Sequence, residues 1–538
     1  MFMRILKTIT FTSAIGMMMA SCSTPKGIVS IDPKKIDQMP LKMTPIKETD
    51  LKRWSHLDLV KDTVPGMGVD KAYAELLKGK KANKIIVGVV DSGIDIEHED
   101  LKPAIWKNAK EIPGNKKDDD NNGYVDDIHG WNFLGDADNE QLELTRIVKK
   151  GNDGSAQYEN ALALLTQKKS ELEPQKNQID AIINADKNIT EYFKKKNYTL
   201  ADIKSIKTTD HTLLQSQNII GQVLSNMGGD KTKFDTEIGE YKDYVYDQLN
   251  YNLNTEFNGR KPVGDNPYDI TQTQYGNNNV IGPKKESGKH GTHVAGIIAQ
   301  TRNNNKGGDG VASEFVQIMA LRAVPNGDEY DKDIALAIRY AVDNGAKVIN
   351  GSFGKAFSPN KEWVQDAIKY AASKDVLFVH AAGNDAENID IKPNFPNDTE
   401  GSNPEFADNV ITVGALNYEY GSKVMANFSN YGKVNVDVFA PGVKIYATVP
   451  NNQYEYLQGT SMASPNVAGV AALIRAFYPS LKAAQVKQII MDSGIPLTNT
   501  FALAGENSEP TTLDKISKSG KIVNAYNALK MAEKLAKK

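Results

Sequence analysis

Gly459, Thr460 and Ser461 stand directly before a run of small and apolar residues, Met462, Ala463, Val467, Ala468 and then 470–474. A run with almost no polar face reads as a helix buried in the middle of a domain. Pro465 would break a helix interior but is tolerated in a first turn, which places the helix start near Thr460 or Ser461. A serine there lies among unpaired backbone N–H groups at the positive end of the helix dipole, where developing negative charge is stabilised. Acyl transfer to a serine needs that arrangement. Gly-Thr-Ser before a helix is equally an ordinary N-cap, and this stretch alone does not separate the two readings.

Further polar residues stand at the ends of apolar runs. Lys84-Ile-Ile-Val-Gly-Val-Val-Asp91 reads as a central parallel strand buried on both faces, with Asp91 at its carboxyl end, the edge where ligands gather in open α/β sheets. A buried carboxylate there needs a cationic or N–H partner, although capping the turn Asp91-Ser-Gly93 also accounts for it. His290 and His293 open another glycine-flanked apolar helix; they are three apart, but no Glu lies between them and no third metal ligand presents itself. A structural hydrogen bond is the commoner use of such a histidine, His293 above all. The strand expected at 376–380 runs into Ala-Ala-Gly-Asn384, so Asn384 falls at a carboxyl end like Asp91.

The elements that must position these groups alternate. Strands are expected at 316–323, 347–350, 376–380, 410–413 and 436–442, and helices at 331–344 and 360–373. That order implies an α/β fold, a doubly wound, mostly parallel sheet with helices on both faces. Between 137 and 275 the character changes to Lys, Glu, Asn and Gln with apolar residues at helical spacing, which implies a helical insertion. Pro174 predicts a kink or two helices there, and further helices are expected at 200–227 and 231–249. The expected division is therefore a leader 1–21, a tether 22–52, a core from 53–136 and 276–532, and an insertion 137–275.

Asp118, Asp120, Asn122, Tyr124 and Asp126 occupy alternate positions of a loop with Gly123 at its turn, the first three-quarters of a calcium loop. Position twelve is His129 rather than glutamate, so the shell needs another donor; a solvated acidic turn is the alternative. Across 538 residues, 64 Lys and Arg meet 67 Asp and Glu, a balance that leaves no nucleic-acid footprint. Arg4 and Lys7 precede an apolar run to Ala20 that is too short to span a bilayer and ends at Ser21-Cys22. Cys22 is the only cysteine, which excludes internal disulfides.

With Val-Val-Asp91-Ser-Gly-Ile-Asp, His290-Gly-Thr-His-Val-Ala-Gly, Ala-Ala-Gly-Asn384 and Gly-Thr-Ser461-Met-Ala-Ser-Pro in that order, the chain resembles the subtilisin-like serine peptidases. The resemblance covers roughly 55–135 and 280–530. It implies Ser461 as nucleophile, His290 as base, Asp91 as the group orienting the imidazole, and Asn384 with the Ser461 N–H as an oxyanion hole. It also implies an extended peptide substrate laid on Ser352, Phe353 and Gly354, with Ala382 and Gly383 beside it. The amino terminus resembles a bacterial lipoprotein signal, which implies lipid on Cys22 and a place in the cell envelope, held to a membrane. The 199 residues from Asp91 to His290 exceed the spacing in simpler members several-fold. The rival expectations are a scaffold using the insertion as its binding surface, and a metallohydrolase through His290 and His293.

Overall fold

A computed structural model of the chain describes residues 45–399, 404–497, 499–503 and 509–537. The expected signal segment and Cys22 lie outside them. Among the described residues eleven strands fall into two sheets: β1 (Ile85–Asp91), β2 (Gly130–Asn132), β3 (Val316–Arg322), β4 (Ala346–Gly351), β5 (Leu377–Ala381), β6 (Val410–Leu416), β7 (Val438–Pro441), the pair β8 (Ile445–Val449) and β9 (Gln453–Leu457), and the short β10 (Ile495–Pro496) and β11 (Lys521–Ile522). Nine join in the order β10-β11-β7-β6-β5-β4-β1-β3-β2, and every pair is parallel except β10 with β11. The expected doubly wound, mostly parallel sheet is therefore present. The chain builds β2 and β3 on one side of β1 and then crosses to β4, so the crevice for a ligand falls at the carboxyl ends of β1 and β4.

Side-chain alternation explains why β1 is apolar throughout. Ile85, Val87 and Val89 join one core, with α1 (Lys289–Ala299) and, further along the chain, the helix Thr460–Phe477; Val90 joins the other, with α2 (Asp331–Asp343) and α3 (Lys361–Ser373). Gly88 faces α2, where an added Cβ would come within 3.1 Å of Ala341 Cβ, so a larger residue there would press on the helix by a few tenths of an ångström. The helix Thr460–Phe477, α4, lies in the first core and packs beneath the sheet.

The β8–β9 hairpin was not foreseen. Its signal is Asn451-Asn452, both at positive φ, between two alternating runs. At the amino end Glu48–Leu51 forms a helical turn with Leu51 buried, so packing begins inside the expected tether.

The inserted region contains a separately packed unit, 144–257, narrower than the expected 137–275. One helix, Ala156–Phe193, continues past Pro174, so of the two expectations the division into two helices does not hold. Its Ile179, Ile182, Ala185 and Ile189 pack on Ile220, Leu224, Phe234 and Ile238 from the helices His211–Asn226 and Lys231–Asp247. The expected helix at 200–227 is two, because Asp210 caps the second through the N–H groups of Thr212 and Leu213. Among the described residues no helix is long and apolar enough to cross a membrane.

Candidate active site

The carboxylate at the end of β1 meets the imidazole at the start of α1. Asp91 Oδ1 lies 2.7 Å from His290 Nδ1, across 199 residues of chain. The same oxygen accepts the Ser92 N–H at 2.7 Å, while the buried Oδ2 has no hydrogen-bond partner among the described residues. Asp91 is thus an underbonded buried carboxylate that gains from positive charge on the ring beside it. Burial lowers the His290 pKa, but Asp91 outweighs burial and holds it above the usual imidazole value. The ring itself is part-exposed, on the rim.

Ser461 is the second residue of α4, and every residue from Thr460 to Ala476 is buried except Ser461. Gly459 makes that placement, with φ 150° and ψ 165°, a region open essentially to glycine alone. Pro465 falls in the second turn rather than the first. Having no N–H, it leaves the Ser461 carbonyl without its helical donor, and the Ser352 hydroxyl donates there instead at 2.9 Å. A closed relay fixes that hydroxyl: Ser464 Oγ donates to Asn350 Oδ1 at 3.0 Å and Asn350 Nδ2 to Ser352 Oγ at 2.9 Å. The Ser461 hydroxyl donates to the Ser352 carbonyl at 3.2 Å, and no hydrogen bond joins it to His290.

Asn384, exposed beyond β5, has its amide turned by Thr460. Its Oδ1 accepts the Thr460 N–H at 2.8 Å and the Thr460 hydroxyl at 3.0 Å, and that hydroxyl in turn accepts the Gly383 N–H at 3.0 Å. With both donors on the oxygen, Nδ2 is the free end, 3.5 Å from where a Cβ on Gly459 would lie. Thr460 is a residue that the sequence offered only as the middle of Gly-Thr-Ser.

A profile of the subtilase family matches residues 82–517. The chain belongs to the subtilase family. It is 45% identical over 186 residues to a thermophilic serine proteinase of Bacillus sp. (strain AK1), covering 34% of this chain and 42% of that one. It is 38% identical over 213 residues to subtilisin DY of Bacillus licheniformis, covering 39% and 72%, and 40% identical over 186 residues to thermitase of Thermoactinomyces vulgaris, covering 34% and 60%. This subtilase therefore spans less than half of the first relative.

In this subtilase the other expected residues separate into used and open. Ser352 is buried with its hydroxyl committed to α4; Phe353 is buried, its carbonyl 2.8 Å from His380 Nε2. Ala382 is buried, and its carbonyl accepts from Asn430 and Asn394. Gly354 and Gly383 keep exposure. His293 is buried with Nε2 3.1 Å from the carbonyls of Ile445 and Glu455, and burial drives its pKa down to about 3. Its Nε2 is spent on backbone carbonyls, and among the described residues the pair with His290 belongs to no group of three metal-ligating side chains.

In the acidic loop two of the expected residues gain a further neighbour. Asp118, Asp120 and an unforeseen Glu111 bring carboxylate oxygens within 4.8 Å of one another. Asp126 accepts the backbone N–H groups of Gly114 and Lys116 at 2.9 and 2.8 Å, and Asn122 Oδ1 accepts the Tyr124 N–H at 2.8 Å, just as Asp118 accepts those of Asn122 and Gly123 at 3.0 and 2.7 Å. Glu111 escaped the sequence pattern because it precedes the loop and reaches back to it, accepting the Asp119 N–H at 2.8 Å.

Proposed function

We propose that the chain is a serine endopeptidase that cleaves peptide bonds through an acyl-enzyme on Ser461. The observation that carries this reading is the 2.7 Å contact between Asp91 and His290. With Nδ1 donating to Asp91, the other ring nitrogen is unprotonated and free to take a proton from Ser461 as the hydroxyl leaves the Ser352 carbonyl and attacks. The ring then returns that proton to the departing amine, and a water repeats the sequence on the ester. Contacts in a resting site often tighten only when substrate is bound, and the long 3.2 Å bond to Ser352 is easily given up. A fluorophosphonate probe is expected to label the folded protein at Ser461; folded protein that stays unlabelled would contradict the reading.

The Asn384 amide and the Ser461 N–H are assigned to the tetrahedral oxyanion. Asn384→Ala is expected to lower kcat by about 10²–10³-fold with KM nearly unchanged, since the hydrogen bond strengthens only as charge develops; that magnitude is subtilisin's own. Loss confined to KM in steady-state kinetics would assign Asn384 to ground-state binding instead.

Calcium is assigned to Glu111, Asp118 and Asp120. Two oxygens on one calcium at its usual bond lengths lie at most about 5 Å apart, and these three fit within 4.8 Å. The ion would be structural, fixing the loop by neutralising mutually repelling carboxylates. Chelation is expected to lower the melting temperature by roughly 5–10 °C, and Glu111→Gln to blunt that response. A melting curve indifferent to chelator would remove the ion from the account.

Export and lipid anchoring at Cys22 rest on the basic start, the apolar run and the lone cysteine. Cys22→Ala is expected to move the protein from the membrane fraction to the soluble one; unchanged fractionation would contradict the anchor.

A further inference from the structure

The chain enters the helical unit at 144 and leaves it at 257. On both sides of those points it is fixed to one short segment, 328–333, at the start of α2. Before the unit, the Glu143 N–H donates to the Asp328 carboxylate at 2.8 Å. After it, Arg260 forks onto Asp333 at 2.5 and 2.8 Å and onto Asp265 at 2.6 and 2.9 Å, between the rings of Tyr275 and Tyr330. Lys332, fully buried, pairs with Asp265 at 2.5 Å.

Lys355 is where this framework meets the cleft. It directly follows Gly354, and its ammonium donates to Glu143 Oε2 at 2.9 Å and to the Glu329 carbonyl at 2.8 Å, with Asp331 Oδ1 at 2.9 Å. All three charged side chains are at most 4% exposed. The Lys355 backbone pairs in both directions with Phe395, at 3.1 and 2.9 Å. The cavity beside this stretch, lined by Phe353, Lys355, Glu329 and Asp331, is only about 10 Å³, so these groups are closely packed. A buried ammonium cannot drift from its carboxylates without stranding charge in a low dielectric. The place of Glu143 therefore bears on the place of the 352–354 backbone.

We propose that Lys355 is a positioning residue through which the root of the insertion holds the segment Ser352, Phe353 and Gly354, so that capture of an extended peptide depends on the Glu143–Lys355 pair. The chemical step does not depend on it. This rests on the peptidase reading for the identity of the ligand, an extended peptide added alongside that segment as a strand.

Glu143→Gln in the full-length protein keeps the shape and an acceptor for Lys355 and leaves Asp331 as counter-ion. The KM for a peptide of about ten residues, long enough to lie along the segment, is expected to rise on the order of ten-fold. Over the same comparison kcat and the rate of fluorophosphonate labelling stay within about two-fold. Glu143→Asp, which keeps the charge, is expected to recover part of the loss. Unchanged KM in Glu143→Gln overturns the proposal, as does a fall in kcat, labelling and folded fraction together in both variants, which marks a purely structural pair. Binding of the same fluorescent peptide to Ser461→Ala protein, with and without Glu143→Gln, reads positioning without turnover. Absence of labelling in the unaltered protein would count against the peptidase reading, whereas equal peptide binding in that pair of proteins counts against this one.

Discussion

Ser461→Ala is expected to lower kcat about a million-fold while leaving the fold and peptide binding intact. The magnitude is the one subtilisin itself shows when its nucleophile is removed, and a residual acceleration of about 10³–10⁴ over water persists from the oxyanion hole and binding. The structure makes this substitution unusually clean. Ser461 is the part-exposed residue in an otherwise buried stretch, and its hydroxyl makes one long hydrogen bond, to the Ser352 carbonyl. Removing it opens no cavity and strands no donor, so stability should change by no more than about 0.5 kcal/mol. The relay that holds α4 runs through Asn350, Ser352 and Ser464 and does not use the Ser461 hydroxyl. Single-turnover hydrolysis of a peptide ester and a thermal melt on the same preparation check both halves. Ser461→Ala protein that still hydrolyses at a tenth of the original rate would end the nucleophile assignment.

The second large effect is expected at Asp91. Asp91→Asn should cost about 10⁴-fold in kcat/KM near neutral pH, because an amide donating to Nδ1 holds the ring in the tautomer that cannot accept from Ser461. The pH profile should move as well, and its direction is fixed by the charges. His290 works as a base only when neutral, so activity falls as pH drops through its pKa, which Asp91 holds above the usual imidazole value against the opposing pull of burial. Without the carboxylate only burial remains, the pKa drops, and the acid limb of kcat/KM shifts to lower pH. A limb that stays in place while activity falls would mean that some other group sets it. Buried Oδ2, without a hydrogen-bond partner among the described residues, makes Asp91 responsive to the ring's charge, and this is why the two effects should appear together.

Much of the framework could be read from residue patterns because the sheet is parallel and buried on both faces. Such strands are continuous apolar runs, and the chain ends them abruptly, with Asp91 after Val90 and Asn384 after Ala-Ala-Gly, while Ser461 opens an apolar helix before Met462. Where local and tertiary demands diverge, pattern reading failed. Pro174 did not divide its helix, and the hairpin before the nucleophile passed unnoticed although Asn451-Asn452 marked its turn. The helix start at Thr460 agrees with the pattern, but the pattern does not show that a hydroxyl from another segment satisfies the carbonyl Pro465 abandons. At Ser352 the residue pattern was silent on the side chain, whose hydroxyl holds the helix that carries Ser461.

Sequence by itself determined the kinds of chemical group and the strand and helix ends on which they ride, since those follow from periodicity, glycine placement and local order along the chain. Only the tertiary structure decided which groups meet: Asp91 with His290, Thr460 turning the Asn384 amide, Glu111 reaching back to Asp118 and Asp120, and Lys355 tied to Glu143. Contacts between residues far apart in sequence leave no periodic trace, because they are made by packing two cores against one sheet and not by any rule that neighbouring residues obey.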